Sequence, residues 1–407
     1  MQHIWCRNSL VAAGLVTAAA SWISISSGAA SAAAVAIAVS FPQQVYAPYF
    51  ETWTSDSLTH TAELSGDHYF TMAFLQTVPG QFCKLYWSGD TGKPVSAAIY
   101  GADIIKLRSM GGDVIASFGG STADADRTEI ADSCGTASTI AAAYESVIRT
   151  YGVTRLDMDV EGKSLANSAG IKRRNQAIKL AESWAARRGT PLQVQYTLPV
   201  AESGLLANSL AVLRDAVAEG ARVDVVNVMA SDYFAGAGTV NMGAAAESAL
   251  LGVHKQLSQL YPTTSSANIW RMQGVTLLPG IDSAPNRTEV TRLVDAANVL
   301  SFAQANHINL ITAWAVQRDN GSCPGTADSN SGSGLRQATW AFSDVLNSFT
   351  SLSTRRGARG DLSPGLCHVL APGFAMCSGD QAIRTCHLGR YAEISPLGGP
   401  IFTLNRM

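Results

Sequence analysis

Three acids stand at alternate positions in the segment Leu156-Asp157-Met158-Asp159-Val160-Glu161-Gly162, just after Tyr151-Gly152-Val153. A β-strand sends every second side chain to the same face, so Asp157, Asp159 and Glu161 share one face, with neighbours about 6.5–7 Å apart along the strand. Carboxylates stacked on one buried face repel one another, and some must hold or share a proton, which raises at least one pKa. A carboxylic acid that keeps its proton near neutral pH is what general acid catalysis needs. The plainer alternatives are an exposed acidic strand and a calcium-binding loop.

These acids need a scaffold. The chain has 407 residues, is 47% hydrophobic and carries a formal net charge of −2, enough for one barrel-sized domain with additions. So balanced a charge points to neither nucleic acid nor an anionic membrane surface. From Phe41 onward, β-branched or aromatic runs alternate with Ala-rich helical stretches, which predicts βα units around a parallel sheet. The predicted strands are Gln44–Phe50, Tyr69–Leu75, Asp113–Phe118, Arg155–Glu161, Leu192–Leu198, Val223–Met229, Gly274–Leu278 and Ile308–Val316. Helices are expected at Ser138–Tyr151, Ala169–Arg188, Leu205–Glu219, Ala244–Tyr261, Thr288–Ala305 and Gly334–Phe349. This alternation predicts a (β/α)8 TIM barrel over residues 41–350, whose active site would lie at the C-terminal ends of the strands. Glu161 falls at that end of the fourth strand.

The flanks read differently. Residues Ser9 to Ser40 carry no charge, Arg7 precedes them, and Ala30-Ser31-Ala32 offers a small-residue cleavage site. Residues 1–40 therefore read as a signal segment for export, with an uncleaved membrane anchor as the alternative. Residues 351–407 read as an irregular, poorly ordered tail with neither helical nor strand periodicity. Of the seven cysteines, Cys83 and Cys134 would follow consecutive strands at the same end of the barrel and could form a disulfide, which an exported protein permits. The seven histidines are scattered without metal-ligand spacing, and no cysteine spacing resembles a zinc site, so neither metal nor cofactor is expected. No His and acid are placed to make Ser117 a nucleophile.

The stretch Thr154-Arg155-Leu156-Asp157-Met158-Asp159-Val160-Glu161 resembles the D-x-x-D-x-D-x-E signature of family 18 glycoside hydrolases, the chitinase family. The last three acids match, whereas Thr154 replaces the first Asp and Val160 stands where the family often has Trp. A second family motif, S-x-G-G on the third strand, is matched by Ser117-Phe118-Gly119-Gly120. Further similarity runs through Tyr46-Ala47-Pro48-Tyr49, Met229 to Tyr233 and Ala313-Trp314, so the resemblance covers about Phe41 to Phe349.

The resemblance implies a secreted, monomeric chitinase cleaving β-1,4-linked N-acetylglucosamine with retention, assisted by the substrate's own acetamido group. Glu161 would be the general acid and base. Asp159 would hold the acetamido N–H, and Asp157 would share a proton with Asp159. Trp314 would floor the cleft beneath the scissile sugar. Asp232 and Tyr233, in the reverse of the family's usual Tyr-Asp order, would contact the sugar, leaving open which one does. Tyr46 and Tyr49 would line the cleft from the first strand and Gln195 from the fifth, with Gln317 as a further polar contact. Trp53 and Trp87 are either outer subsites or ordinary core. The partner would be chitin or an N-acetylglucosamine oligosaccharide, with no nucleic acid and, after signal cleavage, no membrane. An endo-β-N-acetylglucosaminidase would use the same residues. A non-hydrolytic lectin on this barrel would usually lack the acid at Glu161.

Overall fold

The computed structural model describes residues 41–233, 240–283, 287–326 and 332–350, together with the backbone of Cys367–Ala371 and Phe374–Cys377. The proposed signal segment lies outside the described residues. The chain divides into two compact units, Met1–Ser353 and Thr354–Met407.

In the first unit, parallel strands curl into a barrel. The first strand, β1, comes in two pieces, Val45–Tyr46 and Tyr49–Glu51, parted at Pro48, whose missing N–H interrupts the ladder. The others are β2 (Tyr69–Gln76), β3 (Asp113–Gly119), β4 (Arg155–Asp159), β5 (Gln193–Ala201), β6 (Val225–Met229), β7 (Gln273–Leu277) and β8 (Leu310–Ala313). Each pairs in parallel with its successor. The first piece of β1 pairs with β8, Val45 opposite Leu310, and the second with β2, Tyr49 opposite Thr71, which closes the ring.

A helix follows each strand: α1 (Leu58–Ser65), α2 (Gly101–Ser109), α3 (Ala137–Tyr151), α4 (Ser168–Arg187), α5 (Ala207–Glu219), α6 (Met242–Leu260), α7 (Leu293–Asn306) and α8 (Ala341–Leu346). In α3 the Thr136 hydroxyl caps the first turn, and Gly152 ends the helix in the left-handed region. Its buried residues Ile140, Tyr144, Val147, Ile148 and Tyr151 recur at helical spacing and face the sheet. From β4, Leu156, Met158 and Val160 point outward into that same layer. The alternate positions of β4 therefore point into the barrel, as the period of two requires.

Three elements differ from expectation. Residues before α7 form a small antiparallel ribbon, Gly280–Ile281 with Val290–Thr291, rather than the first turns of a helix. The last helix begins at Ala341, well after Gly334, because 332–340 loops back to pair with the segment after β8. The tail contains an antiparallel hairpin, Cys367–Ala371 with Phe374–Cys377, where no strand was predicted. Its pattern is too short for a two-residue period to stand out. Cys83 and Cys134 are joined in a disulfide, Cα atoms 4.9 Å apart. No helix among the described residues is long and apolar enough to cross a membrane.

Candidate active site

A cavity of about 460 Å³ opens at the C-terminal ends of the strands, lined by Tyr49, Asp159, Glu161, Asp232 and Trp314 among others. Behind it, Asp157 is fully buried inside the barrel. Four side chains from three strands donate to it: Tyr49 Oη (3.0 Å) and Ser117 Oγ (2.6 Å) to Oδ2, and Gln195 Nε2 (3.1 Å) and Thr197 Oγ1 (2.7 Å) to Oδ1. Burial pushes the Asp157 carboxyl up, and these donors pull against that rise. Thr197 also accepts from Asn227 Nδ2 at 2.9 Å, which extends the network across the barrel to Thr276.

Asp159 has the opposite surroundings. Its Oδ1 is buried without a hydrogen-bond partner among the described residues. Burial first, then the neighbouring Glu161, Asp157 and Asp124 carboxyls, pushes its pKa well above the ordinary carboxylate value. Glu161 is half-buried at the cavity wall, two residues beyond the end of β4. Desolvation and the Asp232 carboxylate push it up to about 7, opposed by a hydrogen bond from the Ser121 backbone. A carboxyl group with that pKa can give up a proton and take one back near neutral pH.

The S-x-G-G segment shapes this arrangement rather than reacting. Ser117 supplies the short bond to Asp157. A side chain on Gly119 would collide with the Asp159 carbonyl oxygen, and one on Gly120 would strike the Phe74 ring; both residues have positive φ.

Phe74 shows why that ring needs room. It lies nearly parallel to Trp314, ring centres 5.3 Å apart at 15°, and Tyr49 meets the Trp314 ring at its edge. Trp53 packs beside both, 41% exposed, at the rim of the same cluster. The half-buried Trp314 presents a flat apolar surface beside the acids.

The remaining predicted residues separate. Asp232 lines the cavity, whereas the Tyr233 side chain packs against the core that surrounds the sheet. Asp232 has φ 53°, and its N–H is accepted by Asp282. Gln195 reaches Asp157 and does not line the cavity. Tyr46 is not brought to the site. The period of two turns it outward, where it is buried in the layer around the sheet and its hydroxyl bonds Ser343 of α8. Gln317 is taken up in tying β1 to β8 through the Glu51 backbone. Trp87 is core, its Nε1 donating to Tyr151 Oη at 2.9 Å.

The structure adds cavity residues that sequence reasoning missed: Phe74, Ser121, Asp282, Ser283 and Arg318. Asp282 and Arg318 lie on loops after β7 and β8, where no periodic signal marks them. Phe74 lies on β2 within an apolar run that reads as core. No group of acids, histidines or cysteines among the described residues could hold a metal ion.

No family model matches the chain. Over 321 residues, 76% of this chain, it is 32% identical to the probable bifunctional chitinase/lysozyme of Escherichia coli (strain K12), covering 35% of that protein. Over 289 residues, 69% of this chain, it is 32% identical to Endochitinase 11 of Metarhizium anisopliae, covering 53% of it. The chain thus spans between about a third and about half of these relatives. The catalytic domain of a hyperthermophilic chitinase from Pyrococcus furiosus has the same fold, with a TM-score of 0.68 and 27% identity over 78% of this chain and 99% of that one. With its two motifs on adjacent strands of a closed barrel, the barrel of this chain is thus similar to chitinases in both sequence and fold.

Proposed function

We propose that the barrel, residues 41–350, is a chitinase that hydrolyses β-1,4-linked N-acetylglucosamine by substrate-assisted catalysis with retention. The observation that carries this reading is the inward column Asp157, Asp159 and Glu161, its last two members lining the cavity, where burial raises both. Glu161 protonates the glycosidic oxygen as the bond to the anomeric carbon breaks. The acetamido carbonyl oxygen of the same sugar attacks that carbon and closes an oxazolinium ring. Asp159 accepts from the acetamido N–H, and as its proton passes toward Asp157 its negative charge faces the positive ring. The donors around Asp157 hold that carboxyl in place for the exchange. Water then attacks the anomeric carbon, gives its proton to Glu161, and the ring reopens. Trp314 supports the sugar through its C–H face, and Asp232 supplies a polar contact from the opposite wall.

The export reading of residues 1–40 is supported by the Cys83–Cys134 disulfide, which suits an oxidising compartment outside the cytoplasm. Residues 351–407 are read as a tail outside the catalytic domain. The name of the Escherichia coli relative keeps cell-wall glycan as a second substrate class to assay.

The test is hydrolysis of a soluble chitin oligosaccharide and of peptidoglycan by the full chain, beside Glu161→Gln. Cleavage of the oligosaccharide by the wild type alone supports the reading. Cleavage of peptidoglycan alone moves the substrate to the cell wall. Binding without cleavage of either would make the protein a lectin.

A further inference from the structure

A second acid sits behind Glu161. Asp124, in the short helix Ser121–Asp126, is shut off from solvent. Its Oδ2 accepts the backbone N–H of Glu161 itself. Its Oδ1 lies 2.7 Å from Ser164 Oγ, and that same hydroxyl also meets Asp132 Oδ2. The other oxygen of Asp132 takes the Asn167 amide at 2.8 Å.

The proton count of this chain is informative. Ser164 has one hydroxyl proton, yet two carboxyl oxygens are bonded to its oxygen. The second bond needs a proton carried by a carboxyl group. Asp132 is half-buried, while Asp124 has no contact with water, so the proton belongs on Asp124. Asp124 Oδ1 then donates to Ser164, and Ser164 donates to Asp132.

The groups that face Asp124 agree with a neutral side chain. Asp159 and Glu161 lie on the β4 side. Glu129 and Asp132 flank it from the short helix Ile130–Ser133, and Arg174 comes from α4. The one cation among these, Arg174, is ion-paired with the buried Glu129 at 3.0 Å and makes no hydrogen bond to Asp124. Burial pushes Asp124 up to about 8, with the Glu129 charge adding to the rise and the Ser164 hydrogen bond, the Arg174 charge and the Glu161 hydrogen bond opposing it.

The geometry points to Asp124 as a positioning residue for the catalytic acid: a neutral carboxyl, locked through Ser164 to Asp132, that fixes the Glu161 backbone at the cavity wall. This rests on the reading of Glu161 as the general acid. In that role Asp124 touches no substrate. It holds the turn between the end of β4 and Glu161 by one bond to the main chain, and stays uncharged so as not to add a charge beside the column.

The test compares Asp124→Ala, Asp124→Asn and Ser164→Ala in the full chain, by steady-state hydrolysis of a chitin oligosaccharide. An Asn can accept the Glu161 N–H and donate to Ser164, so it copies the neutral acid. Asp124→Ala is expected to lose kcat by on the order of tenfold to a hundredfold with KM within about twofold, as for a misplaced catalytic group. Asp124→Asn is expected to recover most of that loss. Ser164→Ala, which keeps the Asp124 side chain but removes its lock, serves if Asp124→Ala does not fold, and is expected to lower kcat in the same direction. Asp124→Asn as impaired as Asp124→Ala overturns the neutral-acid assignment. Wild-type kcat in both Asp124→Ala and Ser164→Ala overturns the positioning role while leaving Glu161 as the acid. A wild type that cleaves no oligosaccharide, with Glu161→Gln unchanged from it, removes the reading of Glu161 and this inference together.

Discussion

The two ends of the barrel treat buried charge in opposite ways. At the N-terminal ends of β3 and β4, the buried cations Arg108 and Arg155 are held by hydrogen-bonding partners. Arg108 grips Asp113 at 2.8 Å and donates to the Tyr151 and Gly152 carbonyls, with both charged side chains almost wholly buried. Arg155, buried at the start of β4, donates to Gln193 and Asn309 and lies over the Phe41 ring. At the C-terminal ends, Asp159 and Glu161 have no ion pair among the described residues, and burial with neighbouring carboxylates raises both. A fold that only had to be stable would have paired them, since an isolated buried charge costs several kcal/mol. The column left in tension is where chemistry is to be expected; the matched end serves the scaffold.

The sharpest way to break that contrast is at Asp159. Asp159→Asn keeps the shape and removes the ionisable proton, so the transition-state charge loses its partner. The expected loss in kcat is on the order of a hundredfold or more, with the melting temperature unchanged or raised. Near-wild-type turnover in this variant would mean that the unpartnered carboxyl is a passive feature of the core.

The mirror experiment is Arg108→Ala at the opposite end. It strands Asp113 in the interior, and loss of one partner of a buried pair costs about 3–5 kcal/mol. Urea unfolding should show that loss, while kcat per folded molecule stays at the wild-type value. A fall in kcat at full folding would show that the two ends are not separate in function.

How much of this division could be read from the chain is uneven. The period of two in β4 gave the acids one face because Leu156, Met158 and Val160 supply the apolar other face. The resemblance, and not this rule, put Tyr46 in the cleft: Tyr46 and Tyr49 face opposite sides of β1, and only Tyr49 points inward. Asp124 and Asp282 were not legible, because they act from loops and a six-residue helix, where spacing carries no face. Phe74 could have been suspected from Gly120, whose missing side chain it fills. That inference needs the strands to be neighbours first.

Titration sharpens the contrast further. Glu51 (about 8), Asp67 (about 7), Asp124 (about 8), Glu161 (about 7) and Asp282 (about 6) all have raised values, chiefly through burial. Between the ordinary carboxylate range and these values the folded state binds more protons than the unfolded one. The slope of unfolding free energy with pH is then negative. The contribution of these groups is complete below the unfolded pKa and is lost as pH rises through about 6 to 8. The melting temperature should therefore fall between roughly pH 5 and pH 9 at fixed ionic strength, and a rise over that window would contradict the protonated column. The alkaline limb of kcat/KM should follow Glu161 near 7. Because the Asp232 charge raises that value, Asp232→Asn should move the limb to lower pH, whereas a limb that stays in place would leave burial as the sole cause.

The smallest effects come from two tyrosines three residues apart. Tyr49→Phe removes one donor from Asp157 and a contact with Thr197, both at 3.0 Å. Three donors remain on Asp157, so kcat should fall only about tenfold, close to the worth of one hydrogen bond to a charged group. Tyr46→Phe removes a hydroxyl that bonds Ser343 in the layer outside the sheet. It should cost about 1 kcal/mol of stability and leave kcat and KM alone. Equal kinetic losses in the two variants would mean that the wall of β1 does not separate site from scaffold. The strand alternation that assigns Asp157, Asp159 and Glu161 to the cavity would then have to be re-examined by the same measurement.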